Sequence, residues 1–414
     1  MSNSGEIFDG RPVVYPLRAE DAADLAALVG RVGADPRALR YLQPKRRVLR
    51  LFAPGVDYRA AAFIKQELLS RGGDAAVARH VIDGKAERSD VLMMGTDSQI
   101  GRLLQKLEAM DCWGLKALRE ALADTVRNEA VRGWTLPLPG GRTLTLDENT
   151  RIMGILNATP DSFYAPSRAT GEADLLRRGE EMLAAGADIL DLGAESTRPG
   201  APPLPEGEEL GRLIPALRAL RRAFPQAVVS VDTYKGRVAL AAAEEGADII
   251  NDVGGFGLDG AMLDCVARTG LPYVLSHIRG TPETMGNLPE PQDLMTELIR
   301  HFQEKLRAAE EAGLSRERVI LDPGLGFGKG ERSNFLILKE IEALHALGRP
   351  LLIGHSMKRF IGGALDGESG DRLWGTVAVS ALLEGRVQIL RVHDVGPNRK
   401  ALLMAQAVRR MQPC

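Results

Sequence analysis

Six short apolar runs in the C-terminal two thirds of the chain each end in a polar residue: Asn157, Asp232, Asn251, Asp322, His355 and His393. A polar residue that closes a strand often does no more than cap the helix that follows. Repetition at six run ends strains that plain reading and points to groups gathered at one end of a sheet. Arg391 and His393 stand two apart in a strand-like run, so they share a face and together can hold an anion. His277, His355 and His393 could instead form a three-histidine zinc site. Against that, the first run carries no histidine pair, and the positive charges of Lys358 and Arg391 would repel a cation. The glycine run Gly324–Gly330 is not a nucleotide loop: position 323 is proline where that loop needs glycine, and Lys329 is followed by glycine.

The elements that would position these residues follow a simple rhythm. Runs rich in β-branched residues cover 152–157, 188–192, 227–232, 248–252, 272–277, 318–322, 350–355 and 387–393, and they alternate with stretches of helical periodicity. Eight such units in about 260 residues match a closed (β/α)8 TIM barrel, whose reactive groups sit where strands end and βα loops begin. Ahead of them, 134–138 and 142–146 flank Pro139-Gly140-Gly141 and read as a hairpin, expected to plug the barrel floor. Residues 1–130 read as a smaller N-terminal α/β domain of unassigned function, and 131–414 as the barrel. In the former, 47–52 and 91–94 are strand-like, Ile100, Leu103, Leu104, Leu107 and Met110 form one apolar helical face, and Arg71–Asp74 is a helix stop and turn.

The 414 residues suit two domains. With 53 Lys and Arg against 55 Asp and Glu, nothing suggests a surface for nucleic acid, and a small-molecule partner is expected. No apolar run approaches the length of a membrane span, and no basic and apolar leader opens the chain. The three cysteines, Cys112, Cys265 and Cys414, are far apart, which fits a cytoplasmic protein.

Two loops make the reading specific. The first is Met153-Gly154-Ile155-Leu156-Asn157-Ala158-Thr159-Pro160-Asp161-Ser162-Phe163, and the second runs from Asp191 through Glu195-Ser196-Thr197-Arg198-Pro199-Gly200. With Val231–Thr233, Ile249–Val253, Asp322–Lys329, Gly354–Lys358 and Arg391–Val395, they stand in the order seen in dihydropteroate synthases, and residues 131–414 resemble that family. The resemblance implies a folate-pathway transferase that condenses a dihydropterin diphosphate with 4-aminobenzoate, releasing diphosphate with Mg2+ as cofactor. A pterin presents adjacent N–H donors, and a carboxylate can accept two of them in parallel.

By resemblance, Asp232, Asn251, Asp322, Lys358 and Arg391 bind the pterin. Asn157, Arg198, Arg391 and His393 receive the diphosphate, with Asn157 also at the metal. Phe163, Thr197, Pro199, Phe327 and Arg359 form the aminobenzoate end, and Asp161 stabilises charge; Asp161, Lys358, Arg391 and His393 form the expected catalytic set. Two departures stand out: Ser356-Met357-Lys358-Arg359 replaces the family's serine-arginine-lysine-serine, and Tyr164–Ser167 replaces an aspartate-glycine-glycine continuation. Frequent pairing of the family through barrel helices sets the expectation of a homodimer.

Overall fold

The structure, a computed structural model, describes residues 14–17, 22–158, 168–195, 203–281, 284–285, 288–365 and 372–411. The chain forms two compact units, the first comprising Met1–Ala123 with Arg410–Cys414 and the second running from Asp124 to Arg409. The division falls inside the helix Leu115–Glu129, ahead of the sequence-based boundary at 130.

The first unit is built on an antiparallel sheet of β1 (Val48–Asp57), β2 (Asp74–Val77) and β3 (Arg88–Thr96), in the order β1-β3-β2. In β3 every second residue is buried, as a half-covered sheet requires. The helix Tyr58–Leu69 starts at Asp57, whose side chain accepts from the Arg59 N–H, and the helix Asp97–Leu107 starts in a reciprocal Thr96–Gln99 capping box. Ile64, Leu68, Met93, Ile100, Leu103 and Leu107 are fully buried. Gly72, at φ 77°, turns the chain after the first helix as expected, and β2 follows at once.

In the second unit, β4 (Trp134–Pro137) and β5 (Thr143–Leu146) form the expected hairpin. Eight parallel strands follow: β6 (Arg151–Asn157), β7 (Ile189–Gly193), β8 (Val228–Asp232), β9 (Ile249–Asp252), β10 (Tyr273–Ser276), β11 (Val319–Asp322), β12 (Leu352–Ile353) and β13 (Ile389–Val392). They lie in the order β11-β10-β9-β8-β7-β6-β13-β12, and a parallel bridge between Leu321 and Leu351 brings the sheet round on itself. This is the (β/α)8 barrel.

Strand periodicity sorts the barrel's side chains into two sets. Leu190, Leu192, Val229, Val231, Ile250, Leu275, Leu321, Ile353, Leu390 and Val392 join the large core beneath the helices. Met153, Ile189, Ile249, Val274, Ile320, Leu352 and Ile389 form a second core with Leu136, Leu138, Leu144 and Leu146 of the hairpin, which therefore closes the floor. Fully buried Asp248 holds this end together, pairing with Arg142 of the hairpin and Arg221 of a barrel helix. No helix among the described residues is long and apolar enough to cross a membrane.

Candidate active site

Two residues above the floor layer, the same inward parity brings Asp191, Ser230, Asn251, Ser276, Asp322 and Arg391. Apolar side chains make the base of the barrel; polar ones, beside Ile155 of β6, dominate the level above. Asp191, fully buried, accepts from Arg391 Nε at 2.5 Å and from Asn251 Nδ2 at 3.1 and 3.3 Å. Asp232 Oδ2 accepts from Arg391 Nη2 at 2.5 Å. One guanidinium thus ties together side chains from β7 and β8, with β9 joined through Asn251. Burial works against the charge of Arg391, but Asp191 and Asp232 outweigh it and raise its pKa above the ordinary value. Burial likewise raises the Asp232 carboxyl, against the pull of Arg391.

Asp322, at the end of β11, is 8% exposed and accepts from the Gly324 N–H at 2.8 Å. Burial raises its pKa, opposed first by Lys358. Lys358 precedes the helix Arg359–Ala364; its ammonium donates to the Leu325 carbonyl and lies 4.5 Å from the centre of the Phe327 ring. Burial lowers the Lys358 pKa to about 8, while Asp322 acts to raise it. A half-buried lysine with a pKa so near neutrality is a common mark of a functional site.

At the rim, the register sets Asn157, Gly193 and Asp232 side by side. A Cβ on Gly193 would lie 3.5 Å from that of Asp232 and 3.7 Å from Asn157 Oδ1, so the missing side chain leaves room between them. His393 is exposed, with Nδ1 3.0 Å from Ser356 Oγ. Arg359 is exposed in the first turn of its short helix.

The inward and rim set therefore contains Asn157, Asp232, Asn251, Asp322 and Arg391, with Lys358 and Phe327 beside it. Asp161, Phe163, Thr197, Arg198 and Pro199 lie outside the described residues. Two histidines at run ends do not join the set. His355 has outward parity and is buried against the helix Arg372–Leu383, with Nε2 3.1 Å from the Thr376 carbonyl and 2.9 Å from Ser380 Oγ. His277 packs edge-on against His301, ring centres 4.6 Å apart. The three histidines weighed as a zinc site thus have separate surroundings.

A model of the family described as pterin binding enzyme matches residues 153–393. The chain belongs to that family. Dihydropteroate synthase from Escherichia coli (strain K12) is 40% identical over 269 residues, 64% of this chain and 94% of that protein. A probable bifunctional folylpolyglutamate synthase/dihydropteroate synthase from Haloferax volcanii is 36% identical over 405 residues, 96% of this chain. The chain spans about half the length of that relative, 48%. Among solved structures, Xanthomonas albilineans dihydropteroate synthase with 4-aminobenzoic acid superposes with a TM-score of 0.60 at 41% identity, over 67% of this chain and 99% of that one.

Within this pterin-binding barrel, Asp191 is the residue that sequence reasoning missed. It stands in the middle of an apolar run, where only strand parity combined with the inward Arg391 could have singled it out.

Proposed function

We propose that the chain is a dihydropteroate synthase, condensing (7,8-dihydropterin-6-yl)methyl diphosphate with 4-aminobenzoate. The observation that carries this reading is the meeting of Asn251, Asp322 and Arg391 in one inward layer with Asp232 at the rim directly above it, at the carboxyl ends of the strands, and with Lys358 alongside. Asp322 and Asn251 receive the donor edge of the pterin, and Lys358 donates to its carbonyl and ring nitrogen. Arg391 lies against the ring and, with His393, Arg198 and Asn157, receives the diphosphate. Because Asp191 and Asp232 hold two of its nitrogens, Arg391 presents its charge without reorganising. Departure of diphosphate leaves a cation stabilised by the electron-rich dihydropterin, with Asp161 as the added electrostatic support. The arylamine, against Phe163, Pro199 and Phe327 with Thr197 and Arg359 at its carboxylate end, then attacks.

Magnesium fits this arrangement through the leaving group. Asn157 offers one hard amide oxygen at the exposed rim beside Asp232, and Mg2+ commonly takes one or two protein oxygens together with phosphate oxygens and water. Among the described residues no group of three or more His, Cys, Asp or Glu is placed to hold a metal by itself. When bound, the ion neutralises charge building on the diphosphate.

Replacing Asp322 by alanine tests the orientation. The substitution leaves the pterin's donor edge unpaired in a buried site and is expected to weaken pterin affinity about 10- to 100-fold by calorimetry. Unchanged affinity would remove Asp322 from the pterin site.

A further inference from the structure

The mechanism above leaves the buried cation Lys329 unused. Lys329 is 7% exposed, and all three of its ammonium contacts are backbone carbonyls: His277 at 3.0 Å, Gly324 at 2.9 Å and Phe327 at 3.1 Å. Burial lowers its pKa to about 7. Keeping an ammonium there costs desolvation that an aliphatic residue of similar length would avoid, so the group's contribution lies in the bonds it donates.

Those bonds join two loops at the mouth of the barrel. The loop after β11 is pressed against the loop after β10 so closely that a Cβ on Gly324 would sit 2.1 Å from the His277 carbonyl, and one on Gly328 would sit 2.3 Å from the Arg279 carbonyl. Both glycines have positive φ, 63° and 69°. A second clasp comes from the helix Glu331–Lys339: Asn334 Oδ1 accepts from the Gly326 N–H at 2.7 Å, and Nδ2 donates to the Lys329 carbonyl at 3.1 Å. Between these anchors lie Leu325, whose carbonyl receives the Lys358 ammonium, and Phe327, whose ring lies beneath it.

We propose that Lys329 is a positioning residue for the pterin site: by gripping three carbonyls it fixes the Leu325 carbonyl and the Phe327 ring, and these locate the Lys358 ammonium. The inference rests on the reading of this site as a pterin site. Lys329 itself touches no substrate. With the ammonium removed, the loop keeps its glycine geometry but loses the bonds at its two ends, and Lys358 is free to reorient.

The test compares the wild-type full chain with Lys329→Met, measuring dihydropterin alcohol binding by calorimetry, steady-state kinetics and thermal melting, with binding read well below each melting point. The expected result is about tenfold weaker dihydropterin binding and a matching rise in KM for the pterin substrate, with kcat changed by no more than about twofold. A purely structural lysine would move only the melting point, and unchanged affinity and KM in the folded variant would overturn the proposal. If Lys329→Met fails to fold, Asn334→Ala, which releases the second clasp, should shift affinity and KM in the same direction, and no shift there would also overturn it. Wild-type protein that does not bind the dihydropterin would overturn the pterin reading and this inference with it; wild-type binding with unaffected variants would overturn the inference alone.

Discussion

Arg391 is held at two nitrogens by carboxylates from two neighbouring strands, and Asp191 also receives Asn251. Such a network fixes a charge in one direction, which suits a group that must meet a departing anion without rearranging. Arg391 followed from the face it shares with His393, Lys358 came from the family resemblance, and Asp232, Asn251 and Asp322 were legible in the sequence because each closes an apolar run. Asp191 was not, because it interrupts such a run, and Lys329 was hidden within a glycine stretch. Arg359 occupies a different situation, being exposed where the family's pattern has serine. An exposed arginine–carboxylate pair is worth up to about 1 kcal/mol, so Arg359→Ala should raise KM for 4-aminobenzoate by up to about fivefold while pterin affinity stays constant. Steady-state kinetics beside pterin calorimetry would check this, and equal effects on both substrates would remove Arg359 from the acceptor end.

Among the elements, the barrel strands were readable from their β-branched runs, and the hairpin from its Pro-Gly-Gly turn. β2 was not, because Asp74-Ala75-Ala76-Val77 is short and carries a single β-branched residue. His355 shows the limit of reading strand ends: its run is long in sequence, but only Leu352 and Ile353 pair as strand, and parity turns His355 outward. The helix Leu294–Glu311 brings His301 against His277, and burial, aided by Lys305 and Lys329, lowers the His301 pKa from 6.5 to about 4. The folded chain keeps this imidazole neutral while the unfolded chain protonates it below about pH 6.5, so its contribution is full above that pH and is lost as pH falls towards 4. Asp232 and Asp322, whose pKa values burial raises, act in the opposite direction, so a variant must isolate the histidine. Urea unfolding of His301→Gln should show a loss of stability between about pH 7 and pH 5 that is smaller than wild type by up to about 2 kcal/mol. An identical loss in both proteins would contradict this account of the pair.

At the scale of the whole molecule, two relatives divide the chain. Similarity to the Escherichia coli enzyme spans 64% of it, whereas similarity to the Haloferax volcanii protein spans 96% and therefore takes in the first unit as well. The first unit has its own capped helices and buried core. The proposed function has the barrel's polar layer turn over a dihydropterin diphosphate. Its most direct test is the rate of diphosphate release by the purified full chain with dihydropterin diphosphate, 4-aminobenzoate and magnesium. Steady release that requires both organic substrates is the expected result; pterin binding with no release above the rate in the absence of 4-aminobenzoate would contradict it.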